Sequence, residues 1–236
     1  MDFDGLPRQG MLGILLDPKL DEATVAAVLP DSAAARAGVA LNDRVVAVGE
    51  ARIHQLAAVR AALSTLRAGD TVALTVLRMG KRRRLTVLAD PRAPESEVAH
   101  AVSYRAIDAG GFRLRAIVHR PQGEGPWPAV LFLAGCDLGS VERPRANDPL
   151  RCVVRDLVDA GYAVVRMERR GVGDSEGPPL ADATLSDERD DYRAALRWLA
   201  AEPWCAPGRV VLLGHSLGGL LAPQLCASLE GAAVRA

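Results

Sequence analysis

The sequence predicts an α/β domain with a doubly wound, mostly parallel sheet, preceded by a small α+β domain. Continuous apolar runs at 129–133 and 210–213 and a mostly apolar stretch at 162–167 are typical of strands buried on both faces. Helix-like stretches at 148–160 and 186–200 separate these runs, an alternation that favours a parallel sheet with crossover helices. The first part of the chain instead has short apolar segments that end at glycines or prolines.

The composition is that of a globular protein. Its 236 residues suffice for one or two domains, and a hydrophobic content of 49% supports a core. Lys+Arg and Asp+Glu number 29 each, so the net charge does not indicate binding to nucleic acid or to a membrane surface. No apolar run approaches the ~20 residues that span a bilayer.

The N-terminus and the cysteines give expectations about location and metal binding. The start of the chain has neither the basic nor the apolar region of a signal peptide, so we expect a cytoplasmic protein as given; a start further upstream would leave a periplasmic or secreted protein open. The spacing of Cys136, Cys152, Cys205 and Cys226 fits no zinc pattern. We therefore expect no metal and no cofactor. We also expect free, mostly buried thiols, because a Cys136–Cys152 disulfide would require export of the protein.

Residues 7–90 are predicted to form the small first domain. Its expected elements, in order, are a glycine-bearing turn and strand at 10–16, a strand at 24–28, a short helix at 32–37, a strand at 43–48, a helix at 55–67, and a hairpin of 71–78 with 84–88. Residues 91–97 contain prolines and acids and are predicted to be a linker.

The first domain resembles a bacterial PDZ domain. The matching sequences are Gly-Met-Leu-Gly-Ile at 10–14, the segment from Ser32 to Glu50, and the segment from Ala68 to Lys81. The resemblance implies that a peptide C-terminus adds as a strand beside 13–15, with its carboxylate held by the amides of Leu12, Gly13 and Ile14.

Alternatives for the first domain stay open. The domain could serve only to pack against its neighbour or to gate access to it. His54 either touches a ligand at the groove mouth or is a solvated residue before the helix, and the basic run 81–84 is interpreted as a solvated turn.

Residues 98–236 are predicted to form the second domain. A hairpin of 98–104 with 111–119 and a loop at 121–128 precede the three buried strands and two helices. Within the second helix Ser186 is the expected N-cap. The last strand leads into Gly214-His215-Ser216-Leu217-Gly218-Gly219 and a helix at 217–229, an order in which a serine between glycines becomes a nucleophile.

This second domain resembles the N-terminal part of an α/β-hydrolase domain, of the serine aminopeptidase or esterase type. Three loops carry the resemblance, in the family's order. They are Leu133-Ala134-Gly135-Cys136 at the family's His-Gly loop, with Ala134 in place of the usual histidine, then Glu168 to Ser175, which is similar to Asp-x-Arg-Gly-x-Gly-x-Ser, and finally Gly214 to Gly219.

The candidate catalytic groups follow from these loops. Ser216 is the expected nucleophile, and the amide of Leu217 is an oxyanion-hole donor by the geometry of the turn. The resemblance implies that the amide of Cys136 is the second donor. Glu168, Asp174 and Glu176 either line the mouth of the site or stabilise their own turn, which Arg170 is expected to anchor.

The acid and the histidine base are not found where the resemblance requires them. After Ser216 the chain has one acidic residue, Glu230, and no histidine. His215 lies on the far side of the turn, and His54, His100 and His119 occupy positions that the family does not use for its base. We therefore expect the chain to be the N-terminal fragment of a longer hydrolase, inactive by itself; a catalytically dead short product is the alternative.

The sequence thus supports two hypotheses of different classes. The first is a serine hydrolase that transfers acyl groups from ester, thioester or peptide bonds, with a peptide C-terminus as a further partner. The second is a non-catalytic peptide-binding module on a hydrolase remnant. A trypsin-like protease with an appended PDZ domain is disfavoured by the parallel-sheet pattern.

Overall fold

The computed structural model describes residues 3–136, 139–143, 145–228 and 234–235, which divide into two compact units. The first unit is Pro7–Arg92, and the second is Ala93–Ala236 together with the N-terminal residues up to Leu6. The segment predicted as a linker, 91–97, differs from expectation. Pro91 belongs to a strand of the first unit, and Glu95 is fully buried in the second unit. Glu95 can be buried because its carboxylate forms an ion pair with Arg166, whereas in the sequence its charge suggested a solvated segment.

The first unit is a small β-rich domain with two helices. Its elements are β1 (Gly10–Met11), β2 (Ile14–Leu16), β3 (Val25–Val28), α1 (Ala33–Arg36), β4 (Arg44–Val48), β5 (Ala51–Arg52), α2 (Leu56–Leu63), β6 (Thr71–Arg78), β7 (Lys81–Leu88) and β8 (Asp90–Pro91). They form a sheet of order β5-β4-β6-β7 and the two-stranded pairs β2-β3 and β1-β8. Val25, Leu74 and Val87 lie in its core.

Two elements of the first unit differ in length from the prediction. Strand β7 begins at Lys81 rather than at Arg84, because Met79 and Gly80 both have positive φ and close a two-residue turn. The basic residues 81–84 are therefore exposed on an outer strand of this sheet rather than in a turn. Helix α2 ends at Leu63, four residues before the predicted Arg67.

The second unit contains a mixed six-stranded sheet. Its elements are β9 (Ala101–Ala109), β10 (Phe112–Arg120), β11 (Trp127–Leu133), α3 (Pro149–Asp159), β12 (Ala163–Met167), a 3-10 helix (Leu180–Asp182), α4 (Leu185–Ala201), β13 (Cys205–Gly214), α5 (Leu217–Ser228) and β14 (Val234–Arg235). The strand order is β14-β13-β11-β12-β10-β9. Strands β14, β13, β11 and β12 run parallel, and β9 and β10 continue the sheet antiparallel.

Helices cover both faces of this sheet, which explains the continuous apolar runs. Leu131 and Leu212 point to the face that packs against α4 and α5. Val130 and Val164 point to the opposite face and pack against α3. The doubly wound α/β architecture predicted from the sequence is therefore confirmed.

The start of α4 corrects one prediction. The N-cap is Thr184, whose hydroxyl accepts a hydrogen bond from the Asp187 amide at 3.2 Å, while the Asp187 carboxylate accepts from the Thr184 amide at 2.9 Å. Ser186, the expected N-cap, lies inside the first turn. Both residues are good caps, but only Thr184 has an acidic partner three residues later that completes a reciprocal capping box.

This cap gives a prediction for the stability of the second unit. We expect Thr184→Ala to lower its free energy of unfolding by about 1 kcal/mol, because an amide of the first turn loses its acceptor. Ser186→Ala is the matched control and should change stability far less. Urea unfolding followed by tryptophan fluorescence measures this unit alone, since Trp127, Trp198 and Trp204 all lie in it. Equal losses in the two variants would contradict the assignment.

Candidate active site

Ser216 lies at the sharp turn between β13 and α5. Its φ is 53°, in the left-handed region that a residue with a side chain seldom adopts. The His215 amide donates to the Leu133 carbonyl at 3.0 Å, and the Gly219 amide donates to the Ser216 carbonyl at 2.9 Å. The Ser216 side chain is exposed. A strained, exposed serine between a buried strand and a helix is the geometry of a nucleophile elbow.

The glycines of the turn permit a close approach of three backbone segments. A Cβ at Gly214 would overlap the carbonyl of Gly218, and a Cβ at Gly218 would overlap the carbonyl of Leu133 at the end of β11. Both positions therefore require glycine, because the tight turn leaves no room for a side chain at either of them.

The residues after β11 lie directly against Ser216. A Cβ on Gly135 would lie 3.0 Å from the Ser216 Cβ and 3.1 Å from Nδ1 of His215. The preceding amide, of Ala134, donates to the Tyr192 hydroxyl at 2.9 Å, and burial raises the pKa of that phenol to about 12, so it stays protonated. The neighbouring Cys136 is exposed. The structure thus brings the 133–136 loop and the serine turn together.

Glu168 supports the loop that follows Cys136. Its buried carboxylate accepts hydrogen bonds from the Val141 amide at 3.1 Å and from the Ser140 hydroxyl. It therefore braces residues of the β11–α3 connection. This contact with another loop was not predicted from the sequence, where Glu168 was expected either to line the site mouth or to stabilise its own turn.

The remaining charged residues of the 168–176 turn attach it to its surroundings. Arg170 binds the Asp191 carboxylate at 2.7 and 2.9 Å and Asp187 at 3.0 Å, so it anchors the turn to α4 as expected. Burial raises the pKa of Asp191. Asp174 pairs with Arg115 at 3.1 Å and Glu176 with Arg113 at 2.6 Å, both on β10. The turn-stabilising alternative is therefore the one that the structure supports for these two acids.

A buried polar cluster, which the sequence analysis missed, lies beside strands β10 and β12. Glu95 Oε2 lies 2.5 Å from an Arg166 guanidinium nitrogen, 3.0 Å from His119 Nε2 and 3.4 Å from an Arg151 nitrogen. His100 Nε2 lies 2.8 Å from His119 Nδ1. The sequence offered one signal for this cluster, the arginine at position 166 within an apolar strand. A strand of that kind is buried on both faces of the sheet, so the charge of Arg166 requires a partner.

The cluster holds its members in fixed charge states. Burial would raise the pKa of Glu95, but the hydrogen bond with His119 and the charge of Arg166 outweigh it and lower that pKa to about 2. Burial lowers the pKa of His119 to about 4, against the opposing hydrogen bond of Glu95. At neutral pH the cluster thus contains a carboxylate and a neutral imidazole.

No hydrogen bond joins the Ser216 hydroxyl to a histidine within the described ranges. His100 and His119 are engaged in the polar cluster, and His54 belongs to the first unit. The described residues also contain no group of three or more His, Cys, Asp or Glu arranged to hold a metal ion. All four cysteines are free, as predicted, but only Cys205 is buried.

In the first unit, β2 pairs with β3 and with no other described strand. Gly13 has a φ of 77°, and a Cβ there would overlap Ser32. The carbonyl of Leu12 accepts a hydrogen bond from the Ala34 amide and that of Gly13 from the Leu29 amide, each at 2.8 Å, so the turn before Ile14 is fixed on one side by α1 and by the residue that follows β3. The three predicted carboxylate-binding residues thus form a rigid turn at one end of the free β2 edge.

A cavity of about 300 Å³ lies between the β2–β3 connection and the start of α2. Its lining residues are Pro18, Leu20, Asp21, Gln55, Leu56 and Ala57. His54 is exposed and lines a smaller cavity of about 120 Å³, together with Glu22 and Arg44.

The strand order, the crossover helices and the serine turn define the second unit as an α/β hydrolase. The sequence profile of the X-Pro dipeptidyl-peptidase (S15) family matches residues 110–234, more than half of the chain, and the chain belongs to this family. The PDZ domain profile matches residues 10–88.

No helix of the described segments has both the length and the apolar character needed to cross a bilayer.

Individual relatives include an esterase and an α/β hydrolase. The chain is 30% identical over 113 residues to the quorum-quenching protein AidA of Acinetobacter baumannii, covering 48% of this chain and 35% of AidA. It is 30% identical over 128 residues to the esterase FrsA of Citrobacter koseri, covering 54% and 28%. The α/β hydrolase GrgF of Penicillium sp. sh18 aligns with a TM-score of 0.49 at 19% identity, covering 57% and 44%. The chain spans about a third of the length of the two curated relatives.

The polar cluster predicts a specific acid sensitivity. As pH falls below about 6.5, His119 becomes protonated in the unfolded state but stays neutral in the folded state until about pH 4, so the free energy of unfolding should decline. Below pH 4.5 Glu95 becomes protonated in the unfolded state first, which adds a second decline that extends towards pH 2. Urea unfolding at several pH values, followed by tryptophan fluorescence, measures both slopes. Glu95→Gln should lose the slope below 4.5 while the slope near 6 remains. Unchanged stability of the parent protein between pH 6.5 and 4 would contradict the prediction.

Proposed function

We propose that the protein is a serine hydrolase in which Ser216 attacks the carbonyl carbon of an ester or peptide bond. The observation that carries this proposal is the positive φ of Ser216 at the turn between a strand and a helix. Gly135 and Gly218 lie beside this turn, and their lack of side chains allows three backbone segments to meet there. The serine would form an acyl-enzyme as the bond to the alcohol or amine breaks, and that leaving group would depart with the proton of the serine. Water would then cleave the acyl–serine ester and release the acid and the free serine.

The oxyanion hole in this proposal consists of the amides of Leu217 and Cys136. Leu217 is the first residue of α5, so its amide has no acceptor within the helix and is available to a ligand. Cys136 follows the Gly135 that packs on Ser216. Removing one such donor costs a factor of about 10² to 10³ in rate. The thiol of Cys136 has no part in the chemistry.

The general base and its acid are proposed to be supplied by residues outside this sequence. Ser216 in the 236-residue chain would then be a weak nucleophile, because a serine hydroxyl needs a hydrogen-bonded base for activation. An esterase and a peptidase family are among the matches, and both fit acyl transfer.

For the first unit we propose capture of a peptide C-terminus. The free edge of β2 would pair with the peptide as an added strand, and the amides of Leu12, Gly13 and Ile14 would bind its carboxylate. The cavity beside Leu20 and Leu56 is available for a side chain further along the peptide. A peptide-binding protein without catalysis is the alternative function, and the labelling experiment below separates the two.

Labelling with a fluorophosphonate probe tests the nucleophile. The 236-residue chain should label slowly, and the protein extended at its C-terminus should label rapidly. Ser216→Ala should abolish labelling, whereas Cys136→Ala should retain it, because the proposed donor is a backbone amide. Absence of labelling in the extended protein would exclude the hydrolase and leave the binding module.

Titration with peptides tests the first unit. Peptides with a free C-terminus should bind measurably more tightly than the same peptides with an amidated C-terminus, because amidation removes the charge that the three amides would hold. Isothermal titration calorimetry on the isolated segment 7–92 and on the whole chain gives the comparison. Equal affinities for the two peptide forms would rule out carboxylate capture.

A further inference from the structure

The loop 139–143, between β11 and α3, is held by charged side chains. Its residues Ser140, Val141 and Glu142 are buried. Glu168 binds the Val141 amide, and Tyr104 donates a hydrogen bond to the Glu142 carboxylate. A loop fixed in this way by buried groups has little freedom to rearrange.

Glu95 binds this loop directly. Its Oε1 accepts a hydrogen bond from the backbone amide of Arg143, while its Oε2 faces Arg166, His119 and Arg151. The Glu95 side chain is fully buried, so each carboxylate oxygen is committed to protein partners. One carboxylate oxygen of Glu95 therefore holds the loop, and the other pairs with the guanidinium groups of Arg166 and Arg151.

The two arginines paired with Glu95 also bind carbonyls of the same loop. Arg166 donates to the Val141 carbonyl at 2.7 Å, and Arg151 donates to the Arg143 carbonyl at 2.8 Å. Loss of the Glu95 charge would leave the buried Arg166 guanidinium without the anion that it pairs with, whereas Arg151 would keep Glu97. The loop would then lose one hydrogen bond directly, together with the anion that orients Arg166, the donor to the Val141 carbonyl.

The same connection begins at the proposed oxyanion hole. Gly135 packs on Ser216, and Cys136 follows it; three residues along the chain begins the described segment 139–143, which binds Glu95. We infer that Glu95 is a positioning residue for acyl transfer at Ser216, acting through loop 139–143 on the amide of Cys136; this inference rests on the function proposed above. Glu95 precedes the family match at residues 110–234 and lies three residues after the end of the first unit.

Glu97 provides a matched control. It pairs with the same Arg151, and its side chain is one-tenth exposed. Among the contacts described, its carboxylate reaches none of the residues 139–143. Glu97→Gln therefore removes a neighbouring acidic charge from the segment without removing a bond to the loop.

The experiment compares Glu95→Gln and Glu97→Gln in the C-terminally extended protein by fluorophosphonate kinetics. We expect Glu95→Gln to lower the limiting rate of Ser216 labelling by about tenfold or more with little change in the probe's half-saturation concentration, since a displaced donor weakens only the transition state. Glu97→Gln should stay within about twofold of the parent. Hydrogen exchange should be faster at the Val141 and Arg143 amides in the first variant only.

The outcomes separate the two proposals. If the parent labels and the two variants label at equal rates, the positioning role of Glu95 is overturned while the nucleophile stands. If the parent does not label, the hydrolase proposal fails and the positioning role of Glu95 in acyl transfer fails with it, whereas hydrogen exchange still decides whether Glu95 holds the loop. Glu95→Asp covers the case in which the Gln variant does not fold: it keeps the charge but shortens the reach to the Arg143 amide, and it should also lower the limiting rate.

Discussion

The close approach of β11 to the turn after β13 is the constraint on which the second unit depends. Gly218 lies so near the Leu133 carbonyl that no side chain fits, and Gly135 meets Ser216 from the same strand end. This proximity is possible because β11 and β13 are adjacent parallel strands whose carboxyl ends meet at one edge of the sheet. The positive φ of Ser216 follows from the same geometry, since the chain must turn at once into α5.

Buried charge in this domain is concentrated where loops must be held at the sheet. Arg166 interrupts the otherwise apolar strand β12, and Arg115 lies on the more polar strand β10, yet both are fully buried. Each binds an acidic side chain and a backbone carbonyl, Val141 for Arg166 and Leu6 for Arg115. Such ions add little net stability compared with apolar residues, but they fix the direction of the groups that they bind.

The sequence identified the elements whose pattern is local and strong. The apolar runs near Leu131 and Leu212 predicted buried strands, and the spacing of Gly214, Ser216 and Gly218 predicted the turn between strand and helix. These features depend on a few consecutive residues and on hydrophobic periodicity, which the sequence displays directly.

The features that sequence reasoning missed depend on partners far along the chain. Glu95 looked like a linker residue because nothing near it in sequence indicates Arg166, and Glu168 looked like a turn residue because Ser140 comes well before it. The cap of α4 was misplaced by two residues, since Thr184 and Ser186 are alike until the contact with Asp187 is known. Tertiary contacts decide these cases, and local composition does not.

The basic strand β7 has a consequence for association between copies of the protein. It is an outer strand of the four-stranded sheet, and residues 81–84 are all exposed cations. A second β7 aligned beside it would place arginines against arginines, so growth of this sheet by edge-to-edge pairing is opposed by like charge. Strand β2 carries only Ile14, Leu15 and Leu16 and has no such protection. The distribution of charge therefore discourages unwanted strand addition at one sheet of the first unit and leaves it permitted at the other.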